Sequence, residues 1–201
     1  MPRALFTRPF PPNLITVPAC GVCNGDKAKD DDYLRDWLVC DIHAQHHPTA
    51  QALFNGKVLR AHGRNQSQVT RLITTGARVQ PWYTPAGVYL GDFPMLRLKD
   101  QRVQTILERI VRGLYFDAQR RRMPNECDFR IRKQDPWDFK AIWRKFRELD
   151  LHWNTRALGD VFACGYVRTD EDPFFTLWLL VFYGNVCFSV ETERSAEEMP
   201  A

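Results

Sequence analysis

Phe174-Phe175-Thr176-Leu177-Trp178-Leu179-Leu180-Val181-Phe182-Tyr183-Gly184-Asn185-Val186-Cys187-Phe188-Ser189-Val190-Glu191-Thr192 is an aromatic and β-branched run broken once, at Gly184-Asn185. Gly and Asn tolerate the turn conformations that other residues resist, so this pair between two apolar runs predicts a two-residue β-hairpin. Outward from it, Trp153–Leu158 and Phe162–Arg168 read as further strands, set apart by Gly159-Asp160 and Asp170–Pro173. The whole region therefore reads as antiparallel sheet. Cys164 and Cys187 fall inside the runs and read as core residues. The aromatics Trp153, Phe162, Tyr166, Trp178 and Tyr183 have faces on which bases can stack. On strands with alternating faces, their plainer role is core packing.

Upstream, Asp135-Pro136 predicts a helix start, with Asp135 as N-cap and Pro136 at the first helical position. Phe139, Ile142, Trp143 and Phe146 then face inward, and Lys140, Arg144, Lys145 and Arg147 outward. Cys127 to Lys133 alternates as a half-exposed strand. Asp100 precedes the strongest helical signal in the chain, the stripe Val103, Ile106, Leu107, Ile110, Val111 and Leu114. That helix ends before Arg120-Arg121-Arg122, with Pro124 as the stop. Arg120, Arg121, Arg122, Arg130, Arg132 and Lys133 form the most basic neighbourhood, read equally as a phosphate-contacting surface and as a solvated turn. Short strand-like runs near Arg78–Trp82, Gly87–Leu90 and Met95–Leu98 precede it. The polar stretch Gly63–Ser67 is taken as a boundary, giving an α+β region over 65–201 and a separate module over 1–64.

In the first module the chain is proline-rich and extended over residues 1–12. From Asp30 it turns helical, with Leu34, Trp37, Leu38 and Ile42 at near-helical spacing. Asp30, Asp31 and Asp32 sit where the helix dipole favours negative charge, a better account than a metal-binding cluster. Pro48 opens a second helix, to about Ala61. Between the extended segment and the first helix lies Pro11-Pro12-Asn13-Leu14-Ile15-Thr16-Val17-Pro18-Ala19-Cys20-Gly21-Val22-Cys23-Asn24-Gly25-Asp26-Lys27. Cys20 and Cys23, as two thiolates three positions apart, can grip one tetrahedral zinc at about 2.3 Å. The plainer alternative is a pair of small thiols without metal. Cys40 and His43 share a helix face and are a self-contained way to complete a Cys₃His sphere. A structural thiol with histidines at a helix end is the simpler account of them.

Asn13-Leu14, Cys20-Gly21-Val22-Cys23-Asn24 and Lys27 together resemble the core of HNH-type endonucleases, of the variety that carries paired zinc-binding C-x-x-C knuckles. The resemblance is specific over about the first thirty residues and diffuse to about Asn65. It implies a partial ββα-metal module at the N-terminus, with Asn13 as the middle asparagine that orients the hairpin or the base. Asn24 takes the last position, facing a divalent metal. Cys20 and Cys23 become the second zinc knuckle, Lys27 a recurrent lysine beside nucleic acid, and Met1–Phe6 the segment that follows the family's histidine. That histidine and the first C-x-x-C would lie upstream of Met1. General-base loss costs about two to four orders of magnitude in rate.

The expectation is therefore an HNH endonuclease relative, a hydrolase of phosphodiester bonds, incomplete or inactive within this chain. The alternative is a non-catalytic, zinc-containing module that binds nucleic acid or protein. The implied cofactors are structural zinc and, only with a complete active site, a catalytic metal such as magnesium. The implied partner is nucleic acid, DNA ahead of RNA, with Lys27, Arg120, Arg121, Arg122 and Arg132 as contacts. A net charge of +4 over 201 residues permits that partner without demanding it. Six cysteines at irregular spacing suit a reduced, cytoplasmic protein rather than a disulfide scaffold. The longest apolar run is too short to span a bilayer, and the prolines at 2, 9, 11 and 12 break any signal-peptide core.

Overall fold

The computed structural model describes residues 1–18, 27–60, 77–83, 87–96, 100–148 and 154–194. Along the chain these form α1 (Lys27–Val39), α2 (Pro48–Leu53, continued by a π-type turn over Phe54–Val58), β1 (Ala77–Tyr83) and β2 (Tyr89–Leu96). There follow α3 (Gln101–Gln119), β3 (Cys127–Gln134), α4 (Pro136–Glu148), β4 (Asn154–Leu158), β5 (Phe162–Arg168), β6 (Thr176–Phe182) and β7 (Val186–Arg194). The class is α+β. Strands β3 to β7 form one antiparallel sheet in the order β3-β7-β6-β5-β4, and β1 and β2 pair as a separate hairpin.

Alternation along the strands sorts the sheet into two faces. Phe162, Cys164 and Tyr166 of β5, Trp178, Leu180 and Phe182 of β6, and Val186, Phe188 and Val190 of β7 all enter the main core. Their register keeps them abreast, with Phe162 opposite Phe182, Tyr166 opposite Trp178 and Leu180 opposite Phe188. The opposite face carries Leu179 and Cys187, which α4 covers with Phe139, Ile142, Trp143 and Phe146. On the main-core face, α3 contributes the whole predicted stripe from Val103 to Leu114, and α1 contributes Leu34, Trp37 and Leu38. Burying each such large side chain is worth about 1.5–3 kcal/mol. The aromatics read as core are core, with Phe162, Trp178 and Tyr183 each 1% exposed and Tyr166 4%; Trp153 lies outside the described residues.

The helix ends follow from their sequence. The Asp100 carboxylate caps α3 by accepting from the backbone N–H of Arg102 at 2.9 Å and of Val103 at 3.4 Å. Asp135 accepts from the N–H of Trp137 at 2.8 Å, so α4 starts at Pro136 as predicted. The β6–β7 connection differs from expectation. Tyr183 leaves the ladder at φ 49° and Gly184 follows at φ 75°, so the loop has three residues rather than two. Tyr183 turns inward instead of extending β6, and its hydroxyl donates to the Leu5 carbonyl at 2.9 Å. The expected runs Gly87–Leu90 and Met95–Leu98 also differ, because β2 runs through Gly91 and Pro94 as one strand. A two-stranded ribbon has a free edge on each strand, where a missing proline N–H costs no ladder bond.

The N-terminal residues pack into the main core. Leu5 and Phe6 are buried there with Ile15, and the Met1 ammonium donates to the Ile15 carbonyl at 2.6 Å. Buried residues of 1–58 and of 100–190 thus share one cluster. Charged contacts tie the layers. Asp30 of α1 accepts from Arg102 at 2.9 Å and Arg109 at 2.5 Å on α3. The Tyr33 hydroxyl donates to Asp100, and the Arg102 guanidinium lies 4.3 Å from the Tyr33 ring centre. Just past α1, the buried Asp41 carboxylate pairs with Lys133 of β3.

Candidate nucleic-acid interface

The N-terminal residues singled out in the sequence have different fates. Asn13 is described, and its Nδ2 donates to the Ala157 carbonyl at 3.0 Å. Ala157 lies on β4, the outermost strand of the sheet. An edge strand leaves backbone carbonyls unpaired, and Asn13 satisfies one of them. Cys20, Cys23 and Asn24 lie outside the described residues. Lys27 is the first described residue of α1, directly after the stretch 19–26.

The arginines after α3 form the most concentrated exposed positive charge the sequence pointed to. Arg120 closes the helix in the left-handed conformation at φ 52°, its N–H bonded to the Phe116 carbonyl at 2.8 Å. This turn ends the helix and sends Arg120, Arg121 and Arg122 into solvent, all three exposed. The negative end of the helix dipole favours cations there. The guanidiniums of Arg121 and Arg194 lie over one buried ring, 4.8 Å and 4.7 Å from the centre of Phe174. Such stacking orders an arginine while leaving its donors free. Arg120 stands 3.4 Å from Asp117, and Arg194 stands 3.6 Å from Asp172. Arg121 and Arg122 have no ion-pair partner among the described residues.

Arg112 holds this turn from beneath. Its guanidinium donates to the carbonyls of Met123 at 3.3 Å and Asn125 at 3.1 Å and also to that of Pro124, while stacking 4.7 Å from the Phe129 ring centre. In the sequence Arg112 reads as an outer-face residue of α3. Only the return of the chain past Pro124 brings those carbonyls within its reach.

The rest of the basic neighbourhood is divided by β3. Arg130 pairs with Glu193 at 2.5 Å and Arg132 with Glu191 at 3.4 Å across β3 and β7. Lys133 turns to the other face, where it pairs with Asp41 and stands 5.6 Å from the Trp37 ring centre. The alternation that separates Arg132 from Lys133 is the one that made β3 predictable. Arg132 is thus an ion-paired member of the opposite sheet face, and Lys27 belongs to α1. The structure brings together Arg120, Arg121 and Arg122 and adds Arg194.

Among the described residues no three His, Cys, Asp or Glu side chains stand close enough to hold a metal ion. Partial burial, with the Asp36 and Asp41 carboxylates, pushes the Cys40 thiol up to about 11. Burial pushes Cys164 and Cys187 up to about 12, in keeping with core cysteines. His47 packs its ring 5.4 Å from that of Tyr183. Its Nε2 lies 3.1 Å from the Asp160 carbonyl oxygen, and its Nδ1 is buried without a hydrogen-bond partner. Among the described residues no helix is long and apolar enough to cross a membrane. No family model, curated protein or solved structure matches the chain.

Proposed function

We propose that this chain is a nucleic-acid-binding protein related to the HNH endonucleases, in which the arginine turn after α3 contacts phosphates and residues 1–64 carry the zinc-knuckle segment. The observation that carries the reading is the pair Arg121 and Arg122, exposed, without ion-pair partners among the described residues, and set on a turn braced by Arg112 and Phe174. Guanidiniums held in this way suit phosphate oxygens, which accept two parallel hydrogen bonds. DNA is the preferred partner. Zinc on Cys20 and Cys23 would supply folding energy to the segment before α1.

Binding without cleavage is the better-supported form of this function. Asn13, the asparagine assigned to the hairpin or base, gives its side-chain N–H₂ to Ala157. The bond supports a structural role for Asn13, fastening the N-terminal segment to the sheet.

Labelled duplex DNA and supercoiled plasmid, each with magnesium or manganese, separate the two. Salt-sensitive binding with intact plasmid is expected. Plasmid nicking that disappears in Asn24→Ala would make the protein an endonuclease. Absence of binding at low salt would overturn both forms. Zinc content is read separately: Cys20→Ser is expected to lose bound zinc, and unchanged metal content would remove the knuckle assignment.

A further inference from the structure

Between α4 and the sheet face it covers is a cleft of about 640 Å³. Phe139, Trp143, Val181, Ala163 and Cys187 form its apolar wall and floor, and Lys140 and Arg144 stand on its rim with Glu148. This volume and lining are those of ordinary ligand sites, which run about 300–1,000 Å³ with a few polar groups at the mouth. Trp137 lies on the same side of α4, three positions before Lys140; the residue is 80% exposed, and the Lys140 ammonium lies 5.6 Å from its ring centre. Three features thus follow one another along the helix: an exposed indole, two cations four residues apart, and an apolar slot walled by a second indole.

We infer that this side of α4 binds a segment of single-stranded nucleic acid, one base stacking on Trp137, the next phosphate meeting Lys140 and Arg144, and the following base entering the slot beside Trp143. The inference rests on the nucleic-acid-binding reading proposed above and names the strand form it acts on. Alternating aromatic faces and cations match the alternating bases and phosphates of an extended strand, and stacking of this kind tolerates any base. Lys140 and Arg144 are both exposed, and neither has an ion-pair partner among the described residues. A duplex keeps its bases inside and offers nothing to the slot.

The test is binding of the full chain to a labelled thymidine decamer, to an abasic decamer of equal charge and to a labelled DNA duplex, at one low salt concentration. The variants are Trp137→Ser and Arg144→Glu, both at exposed positions where the fold is retained, and the pair Arg121→Glu/Arg122→Glu. The wild type is expected to prefer the thymidine decamer about tenfold or more. Trp137→Ser should narrow that preference while leaving abasic binding unchanged, and Arg144→Glu should weaken binding of both. Equal affinity for the two decamers, or no effect of Trp137→Ser, overturns the inference. So does laurate filling the slot, seen in Trp143 fluorescence, without displacing the decamer. If Arg121→Glu/Arg122→Glu abolishes duplex binding while the α4 variants change nothing, the proposed function stands and this inference fails. If the wild type binds neither duplex nor decamer, both fail.

Discussion

Asn13 donates from Nδ2 to the carbonyl of Ala157 at 3.0 Å, joining positions 144 apart in the chain. The bond is neutral and lies at the surface, so its net worth is about 0.5–1 kcal/mol. Asn13→Ala should lower stability in a urea titration by that amount and leave DNA affinity unchanged. Loss of DNA binding at unchanged stability would instead place Asn13 in the interface.

The Asp30 cluster predicts a pH dependence. Burial alone would raise this carboxyl, but the hydrogen bonds and charges of Arg102 and Arg109 outweigh it and hold the group below the usual carboxylate range. A carboxylate depressed on folding stabilises the protein above its unfolded pKa of about 3.9, and that contribution fades as pH falls through the lower folded value. Asp30→Asn should therefore cost about 1–2 kcal/mol at neutral pH, the two arginines being half-exposed. The wild type and variant should converge as the medium is acidified, as followed by chemical denaturation across pH. A difference that persists in strong acid would assign the loss to packing.

Lys133 and Asp41 test the buried end of the same helix layer. The Asp41 side chain is 3% exposed and Lys133 23%. Lys133→Met leaves an uncompensated buried carboxylate, with an expected loss of about 3 kcal/mol. The double variant Lys133→Met/Asp41→Leu should recover most of it. A double-mutant cycle by thermal or urea unfolding measures both.

Arg112 should matter without touching nucleic acid. Arg112→Ala removes the bonds to the carbonyls of Met123, Pro124 and Asn125. Amide exchange over residues 120–126 should rise, and DNA affinity should fall by less than in the direct arginine variants. Unchanged exchange would mean that the turn orders itself.

Most of the fold was readable because the signals were local and redundant. The stripe from Val103 to Leu114, the Asp100 and Asp135 caps and the alternation of β5 to β7 each rest on neighbours within a few residues. The misreadings came from contacts between distant segments. Tyr183 leaves β6 because Leu5 and His47 wait for its ring, and no periodicity records a partner 178 positions away. Of the candidate site, the run Arg120–Arg122 was visible as composition and the helix stop as Pro124. The sorting of Arg132 and Lys133 to opposite faces is implicit in the strand alternation. The brace from Arg112 and the shared ring of Phe174 depend on tertiary return of the chain, which sequence does not expose.

The most direct test of the central claim is the affinity of the wild type and of Arg120→Ser/Arg121→Ser/Arg122→Ser for one DNA duplex, measured over a range of salt concentrations. Each phosphate contact adds about 0.9 to the slope of log affinity against log salt. The account predicts that the triple variant binds more weakly at low salt, with a slope reduced by about two. An identical slope and affinity in the two proteins would contradict it and remove the arginine turn from the interface.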